Sequence, residues 1–140
     1  MTILYSNNSY NKMIKIKPLA QFPNYLPDIV RLWSETIGKK WSTTPSIEEV
    51  ELRFKTHLNE DILPLAYIAI DGNKAIGMCC LRIEDGGISR PEFFPWLGGI
   101  CVEENYRKHG IGKLLIEVVK SKAHKMGFKK LYLWTFEQNI

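Results

Sequence analysis

The chain has 140 residues, 45% hydrophobic and 24% charged, with four tryptophans, six tyrosines and six phenylalanines, which is enough for the core of one domain and too apolar for a disordered tail. Its formal charge of +4 is spread along the sequence, which suits an anionic ligand and gives no ground for a nucleic-acid partner. Cys79, Cys80 and Cys101 lie in apolar runs without metal spacing, so we expect buried thiols, no metal site and a reducing, cytoplasmic location. With no signal-peptide pattern and no apolar run of about 18 residues, neither export nor membrane insertion is expected.

Residues 1 to 11, polar and rich in Asn and Ser, are expected as a flexible arm before a single domain over residues 12 to 140. MIKIKPL sets Met13, Ile14, Ile16 and Leu19 among lysines and reads as an edge strand ending at Pro18. In YLPDIVRLWSETIGKK, Leu26, Ile29, Val30, Trp33 and Ile37 share one helical face, with Gly38 placed to end the helix. Ser46 followed by Glu49 is a capping-box pattern, and Ile47, Val50, Phe54 and Leu58 continue it as the apolar side of a second helix. LPLAYIAIDGNKAIGMCCLRIED is two β-rich runs around Asp71-Gly72, a hairpin signal. WLGGICV, residues 96 to 102, is a further strand. From Ile111 onward, Leu114, Leu115, Val118, Val119, Ala123 and Met126 recur at spacings of three and four, predicting a third helix. KKLYLWTF, apolar at nearly every position from Leu131 to Phe136, predicts a last strand covered on both faces. The order is β-α-α-β-β-β-α-β, a mixed α/β domain whose fourth and fifth strands, joined through one helix, form a parallel pair with a right-handed crossover.

The turn before the third helix, EENYRKHGIGK, carries the chemistry. A helix N-terminus leaves up to about four backbone N–H groups without intrahelical acceptors and adds the positive end of the macrodipole, and glycines let a phosphate approach the main chain. Gly110 and Gly112 therefore suggest a pyrophosphate cradle, with Arg107, Lys108 and Lys113 in reach of further phosphates. Two rival phosphate motifs fit poorly: a P-loop needs Ser or Thr after Gly112-Lys113, where Leu114 stands, and a dinucleotide fingerprint needs a small residue where Leu115 stands. The lysines at 113, 120, 122, 125, 129 and 130, with His124, are read as the solvated face of the helix and not as a nucleic-acid patch, because no aromatic residue interleaves with them.

These residues resemble the GNAT superfamily of N-acetyltransferases. Its signature of Arg or Gln, two residues, Gly, one residue, then Gly or Ala is matched by Arg107, Gly110 and Gly112, and the flanks WLGGICV, EENYRKHGIG and GFKKLYLWTFEQN are similar to its fourth strand, its turn and its fifth strand. The resemblance implies a GNAT-type acyl-coenzyme A N-acyltransferase fold, acetyl-coenzyme A as co-substrate and no metal. It places the pyrophosphate on the main chain of His109, Gly110, Ile111, Gly112 and Lys113, and the pantetheine beside Ile100, Cys101 and Val102, where its amides can pair as a peptide strand would. Asn139 has a family counterpart that often contacts the cofactor. Gly98-Gly99 reads either as close packing against Trp96 or as a bulge that opens the groove and turns a main-chain N–H toward the oxyanion formed when an amine attacks the thioester. Cys101 is read as a packing residue in preference to an acyl carrier.

In the family the first two helices and their loop cover the acceptor. That makes Trp41 the pocket candidate, with Phe22 and Tyr25 as other lining residues and Trp33 assigned to the core. A glutamate base commonly stands early on the fourth strand, where this sequence has Trp96; Glu92 is the nearest carboxylate, with Glu84 and Asp85 as rivals. The implied activity is transfer of acetyl to a primary amine, of a small molecule or a protein, by direct attack; the alternative is an acyl-coenzyme A binding or regulatory domain. The family's fifth strand is followed by a helix that offers a tyrosine to the departing thiolate, whereas this sequence stops at Ile140. The expectation is a C-terminally incomplete domain that leaves Leu131, Leu133, Trp134 and Phe136 exposed, giving a homo-oligomer through the C-terminal strand or a catalytically weak form.

Overall fold

In the computed structural model of the chain, residues 2–6, 11–41, 43–84 and 92–133 are described, with side chains from Ile14 onward. Period-two alternation in the central strands organises the molecule. In β3 (Leu65–Asp71), Ala66, Ile68 and Ile70 face one hydrophobic cluster, while Leu65 and Ala69 face a second on the other side. In β4 (Lys74–Arg82), Met78 and Cys80 join the first cluster, and Cys79 and Leu81 the second. Both strands are covered on two faces, which is why they read as almost unbroken apolar runs. The Gly72-Asn73 loop joins them, with Gly72 at a φ of 62°, and Asp71 pairs with Lys74 across it as the hairpin signal predicts.

The remaining strands extend this pair into one six-stranded sheet in sequence order. On one side, β2 (Asn11–Pro18) pairs antiparallel with β3, and β1 (Thr2–Ser6) pairs antiparallel with β2. Within the stretch expected as an arm, Thr2–Ser6 is thus a strand, and β2 is flanked on both sides rather than lying at the edge. Pairing to β1 ends at Lys15, so Pro18, which has no N–H to give, lies past the end of its neighbour. On the other side, β5 (Trp96–Val102) pairs antiparallel with β4, and β6 (Tyr132–Leu133) pairs parallel with β5 through Trp96 and Leu97. The parallel pair is the one expected, one strand later in the count because of β1. Of the last predicted strand, residues 134 to 140 lie outside the described residues, and with them Trp134, Phe136 and Asn139.

Helices cover both faces. On one, α1 (Leu26–Thr36) buries Leu26, Ile29, Val30, Leu32 and Trp33, and α2 (Ile47–Lys55) buries Val50 and Phe54. Ser46 caps α2 by accepting the Glu49 N–H at 3.2 Å, the interaction its sequence pattern predicts. Gly38 is not a left-handed terminator. It opens a short 3-10 turn, and a Cβ there would come 3.1 Å from the Trp33 ring, so Gly38 makes room for that indole. On the opposite face, α3 (Ile111–Lys125) buries Ile111, Leu115, Val119 and Ala123, one residue per turn over β3 to β5. Two of its lysines meet acids: Lys120 lies 3.6 Å from Glu117, and Lys122 lies 2.8 Å from Asp61.

Candidate active site

The site is built around β5, which carries a bulge in its middle and the glycine turn at its end. Met78 pairs with Cys101 and Cys80 with Gly98, so Cys79 alone stands opposite Gly99 and Ile100. The extra residue changes the alternation, and Leu97 and Ile100, three apart, share the α3 face. Gly99 takes a φ of 60°. A Cβ on it would lie 3.1 Å from both Arg82 Nη2 and Cys80 Sγ. Among the described residues β6 pairs only with the part of β5 before the bulge.

After Val102 the chain turns through a short 3-10 segment, Glu104–Tyr106, into α3. Longer-range bonds tie this turn to its surroundings. The Glu103 N–H donates to Ile76 O at 2.8 Å, Tyr106 Oη donates to Asp71, and Arg107 Nε donates to Val102 O at 2.8 Å. Arg107, expected near phosphate, thus also ties the turn to the end of its own strand. Lys108 has a φ of 66° and Gly110 a φ of 83°. The left-handed region costs an L-residue about 1–2 kcal/mol, so Gly110 is accounted for by backbone alone, whereas Lys108 carries strain.

Gly110 is the N-cap of α3 and, having no side chain, makes no cap hydrogen bond of its own. Its first backbone bond runs from the Leu114 N–H to Gly110 O, at 3.0 Å, so the amides of Ile111, Gly112 and Lys113 precede the internal ladder. A Cβ at Gly112 would meet only Val102 Cγ2, at 3.8 Å. Ordinary packing among the described residues therefore admits a side chain at Gly112, in the first turn of the helix. Arg107, Lys108, His109 and Lys113 are exposed around that turn. A polyanionic group fits this end of the helix by charge, donors and room. Ile111 contributes main chain only, its side chain being 2% exposed in the core.

Of the other expected residues, Ile100 and Val102 are partly buried on the α3 face, while the Cys101 side chain turns to the α1 face. Burial pushes the Cys101 thiol up to about 12, so it is no nucleophile at neutral pH and only its main chain is left to serve a site on this strand. Trp41 packs edge-on against Trp33, with ring centroids 5.6 Å apart, and Arg53 lies over both rings at 5.8 and 5.9 Å. It therefore closes the end of the α1/α2 layer. Glu92 is exposed in the turn leading to β5, and Glu84 is exposed past the end of β4; Asp85 lies outside the described residues. Trp96, at the place of the familiar glutamate, is buried with its Nε1 lacking a hydrogen-bond partner among the described residues and its ring 5.7 Å from Tyr132.

One cluster escaped the sequence reading. His57, just after α2, and Arg82, the last residue of β4, are 2% and 4% exposed. Arg82 Nε donates to His57 Nε2 at 2.9 Å, and His57 Nδ1 then donates to Arg53 O at 3.0 Å. Burial, reinforced by the Arg82 charge, lowers the His57 pKa to about 3, so the ring is neutral. The available signal was an arginine closing an otherwise apolar strand in CCLRIED.

Among the described residues no helix is long and apolar enough to cross a membrane, and no three His, Cys, Asp or Glu side chains are grouped to hold a metal. Among curated proteins no sequence matches this chain. Solved structures do. An aminoglycoside N-acetyltransferase in complex with CoA is 20% identical with a TM-score of 0.69, over 95% of this chain and 84% of that one. A possible acetyltransferase from Clostridium difficile 630 is 16% identical with a TM-score of 0.69, over 91% and 82%. Glucosamine-6-phosphate N-acetyltransferase from Arabidopsis thaliana is 17% identical with a TM-score of 0.63, over 90% and 84%. At these identities the likeness establishes the fold. Residues 26–140 match the family described as Acetyltransferase (GNAT) family, and the chain belongs to that family of acetyltransferases.

Proposed function

We propose that this enzyme transfers acetyl from acetyl-coenzyme A to a primary amine by direct attack. The observation that carries the reading is Gly112: no described residue excludes a side chain there, yet the position is bare, in the first turn of a helix whose N-cap is a glycine and beside four exposed basic residues. Acetyl-coenzyme A, when bound, supplies an acyl group activated as a thioester. The main chain of His109 to Lys113 would hold its pyrophosphate, and Ile100 to Val102 its pantetheine amides. The bulge at Gly99 and Ile100 offers main-chain N–H groups to charge developing on the carbonyl oxygen. Glu92 is the proposed proton acceptor. Trp96 to Gly99 spans about 10 Å of strand, so Glu92 would act on the amine through water.

Amine acetylation is within the reach of this fold, since two of the neighbours are named for aminoglycoside and glucosamine 6-phosphate acceptors. The buried tryptophan at position 96 favours a second reading, coenzyme A binding with little transfer. Release of free thiol across a panel of amines decides between them: amine-dependent release supports transfer, and binding without release supports the second reading. The buried free thiols Cys79, Cys80 and Cys101 suit a reducing, cytoplasmic setting. Self-association along β6 is also proposed, because Leu133 is 47% exposed at that end of the sheet; sedimentation as a monomer at micromolar concentration would remove it.

A further inference from the structure

We propose that Arg82 and His57 are positioning residues for this reaction, which together set the shape of the β5 bulge at Gly99 and Ile100 and so aim its N–H groups. The proposal rests on the acetyltransferase reading. Its basis is a continuous set of contacts from the helical layer to the bulge. At the far end, Arg53 lies over Trp33 and Trp41 and gives its carbonyl to His57 Nδ1. His57 Nε2 accepts from Arg82 Nε, and the same guanidinium lies 5.7 Å over the Phe54 ring and donates from Nη2 to Cys80 Sγ at 3.5 Å. Nη2 also stands where it would be 3.1 Å from a Cβ at residue 99.

Residue 99 is therefore held to glycine twice over, by its φ of 60° and by the volume that Arg82 and Cys80 occupy beside it. A buried guanidinium is planar and directional, and a neutral imidazole accepting from Nε fixes its plane. His57 suits this task because its Nδ1–H is directed at the Arg53 carbonyl, leaving Nε2 as the acceptor, and its pKa, lowered to about 3, keeps the ring neutral near pH 7. Oxyanion donors act through exact aim, so a bulge that relaxes by a fraction of an ångström loses rate before it loses cofactor binding.

Three variants test the idea: His57→Leu, which removes the acceptor at similar volume; Arg82→Lys, which keeps charge but loses the planar fork; and His57→Gln, whose amide can both accept from Arg82 and donate to Arg53. Two readouts are taken on folded protein: kcat and KM for acetyl-coenzyme A, and the backbone amide resonances of Gly99 and Ile100. We expect kcat to fall about tenfold or more in His57→Leu and Arg82→Lys with KM within about twofold, and His57→Gln to stay within about threefold of wild type. The two amides should move in the first pair and stay in the third. Unmoved amides in a folded Arg82→Lys protein, or a loss expressed in KM alone, would overturn the proposal. Should His57→Leu fail to fold, Arg82→Lys and His57→Gln decide alone. A wild type that binds acetyl-coenzyme A but acetylates no amine would sink the acetyltransferase reading instead, and the amide shifts would still report on the bulge.

Discussion

Gly99 and Gly112 lie at the middle of β5 and at the start of α3, and they are glycines for opposite reasons. At Gly99 a Cβ would lie 3.1 Å from Arg82 and Cys80, with the backbone at a φ of 60°; the chain itself disfavours a side chain. At Gly112 the nearest atom would be 3.8 Å away; the chain permits a side chain and omits it. A glycine enforced by packing speaks of internal geometry. A glycine that packing does not require is the one to test against a ligand. Gly110, at a φ of 83° with nothing within 4 Å of its Cβ position, separates the two effects, since it has backbone strain without crowding.

The largest effect expected from this contrast is on stability. Gly99→Ala combines overpacking, about 1–3 kcal/mol, with a left-handed penalty of about 1–2 kcal/mol, so urea denaturation should show a loss of about 2–5 kcal/mol. Gly110→Ala should lose only the backbone part. Equal losses at the two positions would mean that Arg82 does not press on the bulge. Gly112→Asp should leave the free protein's stability near wild type and act on the ligand. Acetyl-coenzyme A at 100 times its Kd stabilises a binding protein by about 2.7 kcal/mol, a shift that Gly112→Asp should largely abolish. Equal thermal shifts in mutant and wild type would remove the cradle.

The bulge region also carries a pH signature. Folded His57 has its pKa lowered to about 3 against an ordinary value of 6.5, through burial first and then the charges of Arg82 and Arg53. Above pH 6.5 the ring is neutral in both states and its stabilising contribution is fully present. As pH falls below 6.5 the unfolded chain takes up a proton that the folded chain refuses, so stability declines by about 1.4 kcal/mol per pH unit until the folded pKa is reached. Between pH 6.5 and 5 the loss is about 2 kcal/mol. His57→Gln should flatten this part of the profile, and an unchanged slope in that variant would assign the titration elsewhere.

Much of this was legible in the sequence because it is written in local periods. The faces of α1 and α3, the Ser46 cap and the Asp71-Gly72 hairpin each follow from residues a few positions apart, and the GNAT turn from Arg107, Gly110 and Gly112. The His57 and Arg82 contact joins residues 25 apart in sequence through burial that no local pattern records. Thr2–Ser6 was hidden for a related reason, because its strand state is expressed in pairing with Asn11–Lys15. The bulge was half visible: Gly98-Gly99 marked its place, but not that Arg82 occupies the space Gly99 leaves.

The smallest effect expected is at Lys108, and it sharpens the contrast most. Lys108 is in the left-handed region at 66°, a conformation that glycine adopts without penalty. Lys108→Gly relieves about 1–2 kcal/mol of backbone strain and returns part of it through the greater freedom of the unfolded chain, for a net gain of about 0.5–1 kcal/mol in the free protein. If the exposed ammonium reaches phosphate, the same substitution weakens acetyl-coenzyme A binding, so that the variant melts higher without ligand and gains less from it. Strain retained at a ligand-facing turn has this form: stability given up where the side chain is needed. A variant more stable both with and without acetyl-coenzyme A, by the same margin, would show that Lys108 makes no contact with the ligand and would leave the cradle to its main-chain amides.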